Sequence, residues 1–412
     1  MLLLFYIMKR STILFLIAFM FSCASRNEEV IEVFSIESIH TFAEPNVKFG
    51  EPYLFTSPKG KVYLSWIEVE EEINYLKYSQ LFDGEWSPPI QIASGSDWFV
   101  NWADYPQLAA FEDGTLIAFF LVKNGKGTFS YDIKTTVSQN GLDWSDPMVI
   151  HDDGTQTEHG FGSMFPWGND MLITWLDGRN TQEGSHDHAN HNGHAGQMNL
   201  RAAILTNEGV KLDEWLLDDR VCDCCQTAII LFENSPMVFF RDRSHQEVRD
   251  IGMIRFVDNT WQETQPVYND FWKVEGCPVN GPRAASFGNT SAVVWYTGVN
   301  GKSEVKVSFI QSGESTFDKP IKIDLGKTIG RVDIALLDEE TAVVSWMEGS
   351  NIYLREVNVN GVTAKPILIA SSSEKRSSGF PQLTIDDETI VLAWSDDSGD
   401  DPVIKTAKIK VR

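Results

Sequence analysis

One pattern recurs seven times along this chain: a short apolar run that closes on a large aromatic residue. The copies read VYLSW, LIAFF, MLITW, PMVFF, AVVWY, AVVSW and IVLAW, and their aromatics are Trp66, Phe120, Trp175, Phe240, Trp295, Trp346 and Trp394. Successive aromatics lie about 55 residues apart, the longest interval being the 65 between Trp175 and Phe240. Each run follows a shorter apolar stretch and a turn, as in PYLFTSPKG, PQLAAFEDG and PQLTIDDET. Gly, Asn, Asp and Pro between β-rich stretches are hairpin chemistry. A third strand follows every copy (INYLKYSQL, MNLRAAIL, EVKVSFI, NIYLREV), and most have a fourth (PIQIA, PIKID, PILIA). Four antiparallel strands at a period in the fifties describe a propeller blade. The sequence therefore predicts an all-β β-propeller of seven four-stranded blades, with six as the alternative. The last copy ends on its third strand, VIKTAKIKV, while residues 30–42 are β-rich without a hairpin of their own. The N-terminal strand is thus expected to complete the last blade, closing the ring and removing its free edges.

The first residues read as a targeting segment. Lys9-Arg10 precede an apolar run from Ser11 to Phe21 and a small-residue site at Ser22-Cys23. The expected division is a signal peptide over 1–22, a tether over 23–29, and a single propeller domain over 30–412. Ser22-Cys23 resembles the lipobox of bacterial lipoproteins, in which the cysteine is acylated. That resemblance implies an exported protein anchored to the bacterial cell envelope through Cys23, with membrane contact made by lipid alone. The formal charge of −24 argues against nucleic acid as a partner. A ring without open edges is expected to be a monomer.

Turns between third and fourth strands carry the resemblance that matters for fold. Ser138-Gln139-Asn140-Gly141-Leu142-Asp143-Trp144 is similar to the Asp-box (BNR) repeat of sialidase-like propellers, with eroded copies at Asp83 to Trp86, Asp258 to Trp261 and Gly313 to Phe317. With CDCCQT and GCPVNGPR, the chain resembles an exported lipoprotein branch of that superfamily. Asp boxes occur in enzymes and binding proteins alike, so they imply fold rather than activity.

Unusual residues gather in the loops expected on one face, those joining second to third strands and one blade to the next. His186, His188, His191 and His194 stand in a Gly/Asn-rich stretch, and imidazole suits copper or zinc. Cys222, Cys224, Cys225 and Cys277 occupy two consecutive inter-blade loops. An even number of cysteines in an exported chain reads as disulfides; a thiolate site for copper or zinc, helped by His159 or His245, is the other reading. Arg179, Arg243, Arg283 and Arg331 are candidates for an anionic ligand, since guanidinium forks bind carboxylate, sulfate or phosphate. Each can instead pair with a local carboxylate.

Sialidases combine an arginine triad, an aspartate acid and a tyrosine nucleophile assisted by glutamate. The resemblance casts Asp104, Tyr296 and Glu275 as weak catalytic candidates, but the family's early arginine motif is missing from GEPYLFTSP. Two functions follow: a surface module binding an anionic glycan-type ligand or a metal, and an exo-acting glycoside hydrolase using the axial pocket.

Overall fold

The computed structural model describes residues 34–181, 197–386 and 388–411. They form seven antiparallel sheets arranged as a propeller, each with four strands in radial order. Blade 1 runs inward to outward as Lys48–Thr56, Val62–Glu70, Ile73–Phe82 and Ile90–Gly95. Blade 2 comprises Gln107–Ala110, Leu116–Lys123, Tyr131–Ser138 and Met148–Val149, and blade 3 His159–Trp167, Asp170–Asp177, Asn199–Leu205 and Lys211–Asp218. Blade 4 comprises Ala228–Phe232, Ser235–Arg241, Ile251–Val257 and the short Gln265–Pro266; blade 5 comprises Arg283–Phe287, Thr290–Thr297, Glu304–Gln311 and Ile321–Lys322. Thr328–Leu336, Thr341–Glu348, Asn351–Asn358 and Ile367–Ser371 make blade 6. In blade 7, Gln382–Asp386, Thr389–Asp396 and Val403–Val411 are completed by Phe34–Phe42 from the other end of the chain. The seven-blade count and the closing strand are those the repeat predicts.

The repeating aromatic has a physical reason. Trp66, Trp175, Trp295, Trp346 and Trp394 sit on second strands and are at most 1% exposed. Alternate residues of a strand share a face, so a carboxylate two positions on can accept from the indole N–H. Glu68, Asp177 and Glu348 do this at 2.9, 2.8 and 2.9 Å. Trp295 uses Asp270 instead, at 2.7 Å. Blade 7 diverts its carboxylate, Asp396, to Lys405, leaving the Trp394 N–H unpartnered.

First strands face the axis, where a cavity of about 440 Å³ is lined by all seven blades. Three of these strands bulge after a glycine: register breaks follow Gly50, Gly160 and Gly330, and the next residues, Glu51, Phe161 and Arg331, have φ of 52, 52 and 54°. A bulge re-aims the side chain it carries. The Asp-box turn is built as its composition suggests: Asn140 Oδ1 accepts from the backbone N–H of Leu142 and Asp143, both at 2.9 Å, and Ser138 Oγ accepts from the Gly141 N–H.

A candidate thiolate centre beside an acidic cleft

The two cysteine motifs interlock. Gln226 of CDCCQT donates to the Ala103 carbonyl at 2.6 Å and accepts from the Gly281 N–H of GCPVNGPR at 3.0 Å. A Cβ on Gly281 would stand 2.1 Å from the Gln226 carbonyl oxygen, which is why the position has no side chain. Arg241, fully buried at the end of its strand, donates to the carbonyls of Asn280, Arg249 and Tyr296. Asn280 accepts in turn from the Arg331 N–H at 2.7 Å. Inter-blade loops far apart in sequence are thereby fixed against one another.

Held in this frame, Cys222, Cys224 and Cys225 place their sulfurs within 4.8 Å of one another, and their exposures are 1, 7 and 1%. Cys277, exposed, reaches the Cys224 thiol from the next loop. The Cys222 and Cys225 sulfurs are 3.7 Å apart, against the ~2.05 Å of a disulfide. All four are free thiols, so the bridge expected between the loops is not formed. Arg249 Nη1 donates to Cys222 Sγ at 3.2 Å. Burial alone would raise the Cys222 pKa, but thiol donors from Cys224 and Cys225 and the guanidiniums of Arg249 and Arg241 outweigh it and hold the thiol well below its usual range. Cys224 and Cys225 are pushed up, chiefly by burial.

Next to it opens a cleft of about 270 Å³, lined by Phe99, Trp102, Phe129, Glu158, Cys224 and Cys277 among others. Its residues come from the connections between blades and the loop within blade 2, the face on which the sequence places the odd residues. Beneath it, the buried Tyr131 hydroxyl lies 2.7 Å from Asp104 Oδ2 and 2.8 Å from Glu158 Oε1. A hydroxyl donates only one proton, so one of these carboxyls has to be an acid that donates back. Burial raises Asp104 to about 7 despite its bonds from Tyr131 and the Phe161 N–H. Glu158 is raised well above the usual carboxylate range by burial, then by the neighbouring acidic groups of Asp104, Asp223 and Cys277. The adjoining Gly160 is required by the contact: a Cβ there would stand 2.0 Å from Asp104 Oδ2.

The raised Asp104 makes a pH prediction. Its ordinary value is 3.8, so between about 4 and 7 the folded protein holds a proton that the unfolded chain has released. Stability therefore falls as pH rises through that window, by about 4 kcal/mol in order of magnitude. Asp104→Asn can keep both bonding partners and has nothing to ionise. Thermal unfolding across pH 4–8 is expected to show a flatter profile for the variant and a higher midpoint than the parent at pH 8. Parallel profiles would mean Asp104 ionises freely.

The remaining sequence candidates take separate partners. Arg179 binds Asp177 at 2.7 Å with Glu214 and Asp153 both at 3.2 Å; Arg243 binds Glu247 and Asp223, each at 3.1 Å. Arg283 pairs with Asp333 at 3.0 Å near Tyr105 and Gln382 on the axis. Arg331 stacks 5.1 Å over Trp102 and donates to the Ser378 hydroxyl and the Lys375 carbonyl; its pKa is lowered to about 10 by burial. Tyr296 bonds the Ser303 hydroxyl at 2.7 Å, and Glu275 is exposed. His245 is exposed, whereas His159 is engaged with Asp153 at 3.0 Å. His186, His188, His191, His194 and Cys23 lie outside the described residues. Sequence reasoning missed Tyr131, Glu158 and His151; the run HDDGTQTEHG, over 151–160, carries acidic residues and both histidines and was the available signal.

No protein-family profile and no curated protein sequence matches this chain. Similar solved structures include a protein of unknown function from Dyadobacter fermentans, at 12% identity over 93% of this chain and 100% of that one, with a TM-score of 0.55. A polysaccharide lyase, Uly1, matches at 10% identity over 88% and 90% of the two chains, with a TM-score of 0.52. The NanB sialidase of Streptococcus pneumoniae matches at 10% identity over 90% and 94%, with a TM-score of 0.47. At these identities the likeness is one of fold alone.

Proposed function

We propose that this propeller is an exported, envelope-anchored protein that holds a thiophilic metal ion, copper(I) in the first place, in the cluster of Cys222, Cys224 and Cys225. The observation that carries the reading is three buried sulfurs within 4.8 Å of one another, with a guanidinium 3.2 Å from one of them. Soft thiolates select copper(I) or zinc, and three sulfurs suit the low coordination numbers of copper(I). Arg249 and Arg241 offset the negative charge that thiolates accumulate around the ion. Cys277, beside Cys224 in the lining of the cleft, is the sulfur available should the ion be zinc, which takes four ligands. Acylation of Cys23 would keep the site at the membrane surface. Anaerobic titration of the reduced protein with copper(I) against a competing chelator should show one tightly held equivalent. Absence of retained copper and zinc under those conditions overturns the reading.

A second reading rests on the cleft. Phe99, Trp102 and Phe129 offer sugar-stacking surfaces around Glu158, a carboxyl that burial holds well above the usual carboxylate range. Such a group can act as the general acid of glycosidic cleavage. A glycan, anionic or neutral, would then be substrate or ligand on the same face. Turnover of sialosides or plant-type glycosides, lost in Glu158→Gln with the metal retained, would establish it; no turnover on a broad panel would leave the cleft a binding surface.

A further inference from the structure

The seam between blades 2 and 3 holds a cluster that the thiolate reading does not use. His151 and His159 lie face to face, ring centroids 3.6 Å apart and 7° from parallel. The rings are flanked by carboxylates at both edges. At one edge Asp132 Oδ1 is 3.2 Å from His151 Nε2 and 3.8 Å from His159 Nδ1. At the other, Asp153 Oδ2 is 3.0 Å from His159 Nε2 and 3.4 Å from His151 Nδ1. Asp132 opens the third strand of blade 2, His151 follows its last strand, and His159 opens blade 3. The three therefore span the joint between two blades.

Hydrogen bonding within the protein leaves this cluster incomplete. The His151 side chain is 3% exposed, yet among the described residues neither ring nitrogen has a hydrogen-bond partner of acceptable geometry, although carboxylates lie close by. Asn124, whose amide nitrogen bonds Asp132, leaves its own oxygen buried and unpartnered. Buried polar atoms without partners are rare and call for a reason, an ion being one. One nitrogen of each ring and an oxygen of Asp132 lie within 4.8 Å of one another.

We infer that Asp132, His151 and His159 form a second metal site, distinct from the cysteines, for a borderline divalent cation of the zinc class. Two imidazoles and a carboxylate are a donor set for such ions and a poor one for copper(I). The ion would enter at the Asp132 edge, taking the place of the proton that His159 Nδ1 now shares with the Thr157 carbonyl at 3.2 Å, the stacked rings tilting apart to aim His151 Nε2 and His159 Nδ1 at it. Asp153 then accepts from the opposite ring nitrogens, the carboxylate–histidine–metal arrangement that fixes tautomer and orientation. Arg179, 3.2 Å from Asp153, holds that carboxylate in place. An ion so placed would fasten blade 2 to blade 3.

Cobalt(II) in place of zinc separates this site from the thiolates, because thiolate ligation gives intense near-ultraviolet charge-transfer absorption and nitrogen/oxygen ligation does not. The full chain with His186, His188, His191 and His194 all changed to Asn serves as background, so that those histidines do not contribute. With Cys222→Ser added to that background to silence the thiolates, it is expected to bind one equivalent of cobalt with visible ligand-field bands and no thiolate charge transfer. Zinc should raise the unfolding midpoint of the background protein. His151→Gln should abolish both the bands and the shift. Asp132→Asn provides the same reading should His151→Gln fail to fold, with unchanged circular dichroism as the check. Thiolate-type absorption alone, or cobalt bands that survive in a folded His151→Gln or Asp132→Asn variant, would overturn the inference without touching the copper site.

Discussion

Deleting the chain through Phe42 should abolish cooperative folding of the ring. That strand pairs with Val403–Val411 from Phe34↔Val411 to Phe42↔Ile404, interrupted only by a bulge between Ile36 and Ser38. It does more than cover an edge. Phe42 is buried, its ring 4.8 Å from that of Trp66, so a residue of blade 7 packs on the second strand of blade 1. Phe34 is buried at the other end of the strand, in the core shared by blades 6 and 7. Loss of a buried Phe side chain costs about 3–5 kcal/mol. Two such losses, with a stripped strand edge, approach the whole ~5–15 kcal/mol by which a domain is stable. Urea unfolding of the truncated protein should show no cooperative transition, and Phe42→Ala alone should lower the midpoint with an unchanged slope. A truncated protein that unfolds cooperatively near the parent midpoint would mean that the ring closes without this strand.

Cys222→Ser should eliminate stoichiometric copper(I) binding, and Arg249→Leu should weaken it about 10–100-fold. The two differ because their roles differ. Cys222 is the sulfur whose pKa the surroundings hold well below its usual range, whereas Arg249 acts through it by donating at 3.2 Å. Arg249 is also bound to Glu247 at 2.8 Å and is 3% exposed, so its replacement removes one of the guanidiniums around that half-buried carboxylate and should cost stability as well. Competition titration with a colorimetric copper(I) chelator reads both effects. Equal affinity of Cys222→Ser and the parent would remove Cys222 from the site. A loss in Arg249→Leu as complete as in Cys222→Ser would show that Arg249 is needed to form the site rather than to tune it.

The fold was legible because its signal is redundant. Seven aromatic-terminated strands repeat one local solution, a large ring buried between strands and tied in three of them by an indole N–H bond to the carboxylate two positions on, and a missing fourth strand at one end was matched by a spare at the other. The convergence of Cys224 and Cys277 on one cleft also followed from strand count, since alternate loops of a blade share a face. What the sequence did not reveal is set by side-chain pairing across blades. Arginine after a strand end looks the same whether it awaits a ligand or binds Asp177 two residues earlier, as Arg179 does. Tyr131 gives no local sign that its hydroxyl bridges carboxyls 27 residues away on either side. The stacking of His151 on His159 depends on how blade 2 meets blade 3, which no periodicity encodes.

The central claim is that three sulfurs of CDCC bind a metal rather than pair as a disulfide. X-ray absorption at the copper edge, on the reduced full chain carrying one equivalent of copper(I), tests it most directly. A first shell of about three sulfurs, with no nitrogen or oxygen at bonding distance, is the predicted result. A shell dominated by nitrogen and oxygen, or a protein that releases the copper as Cys222 and Cys225 oxidise to a bridge, would contradict it.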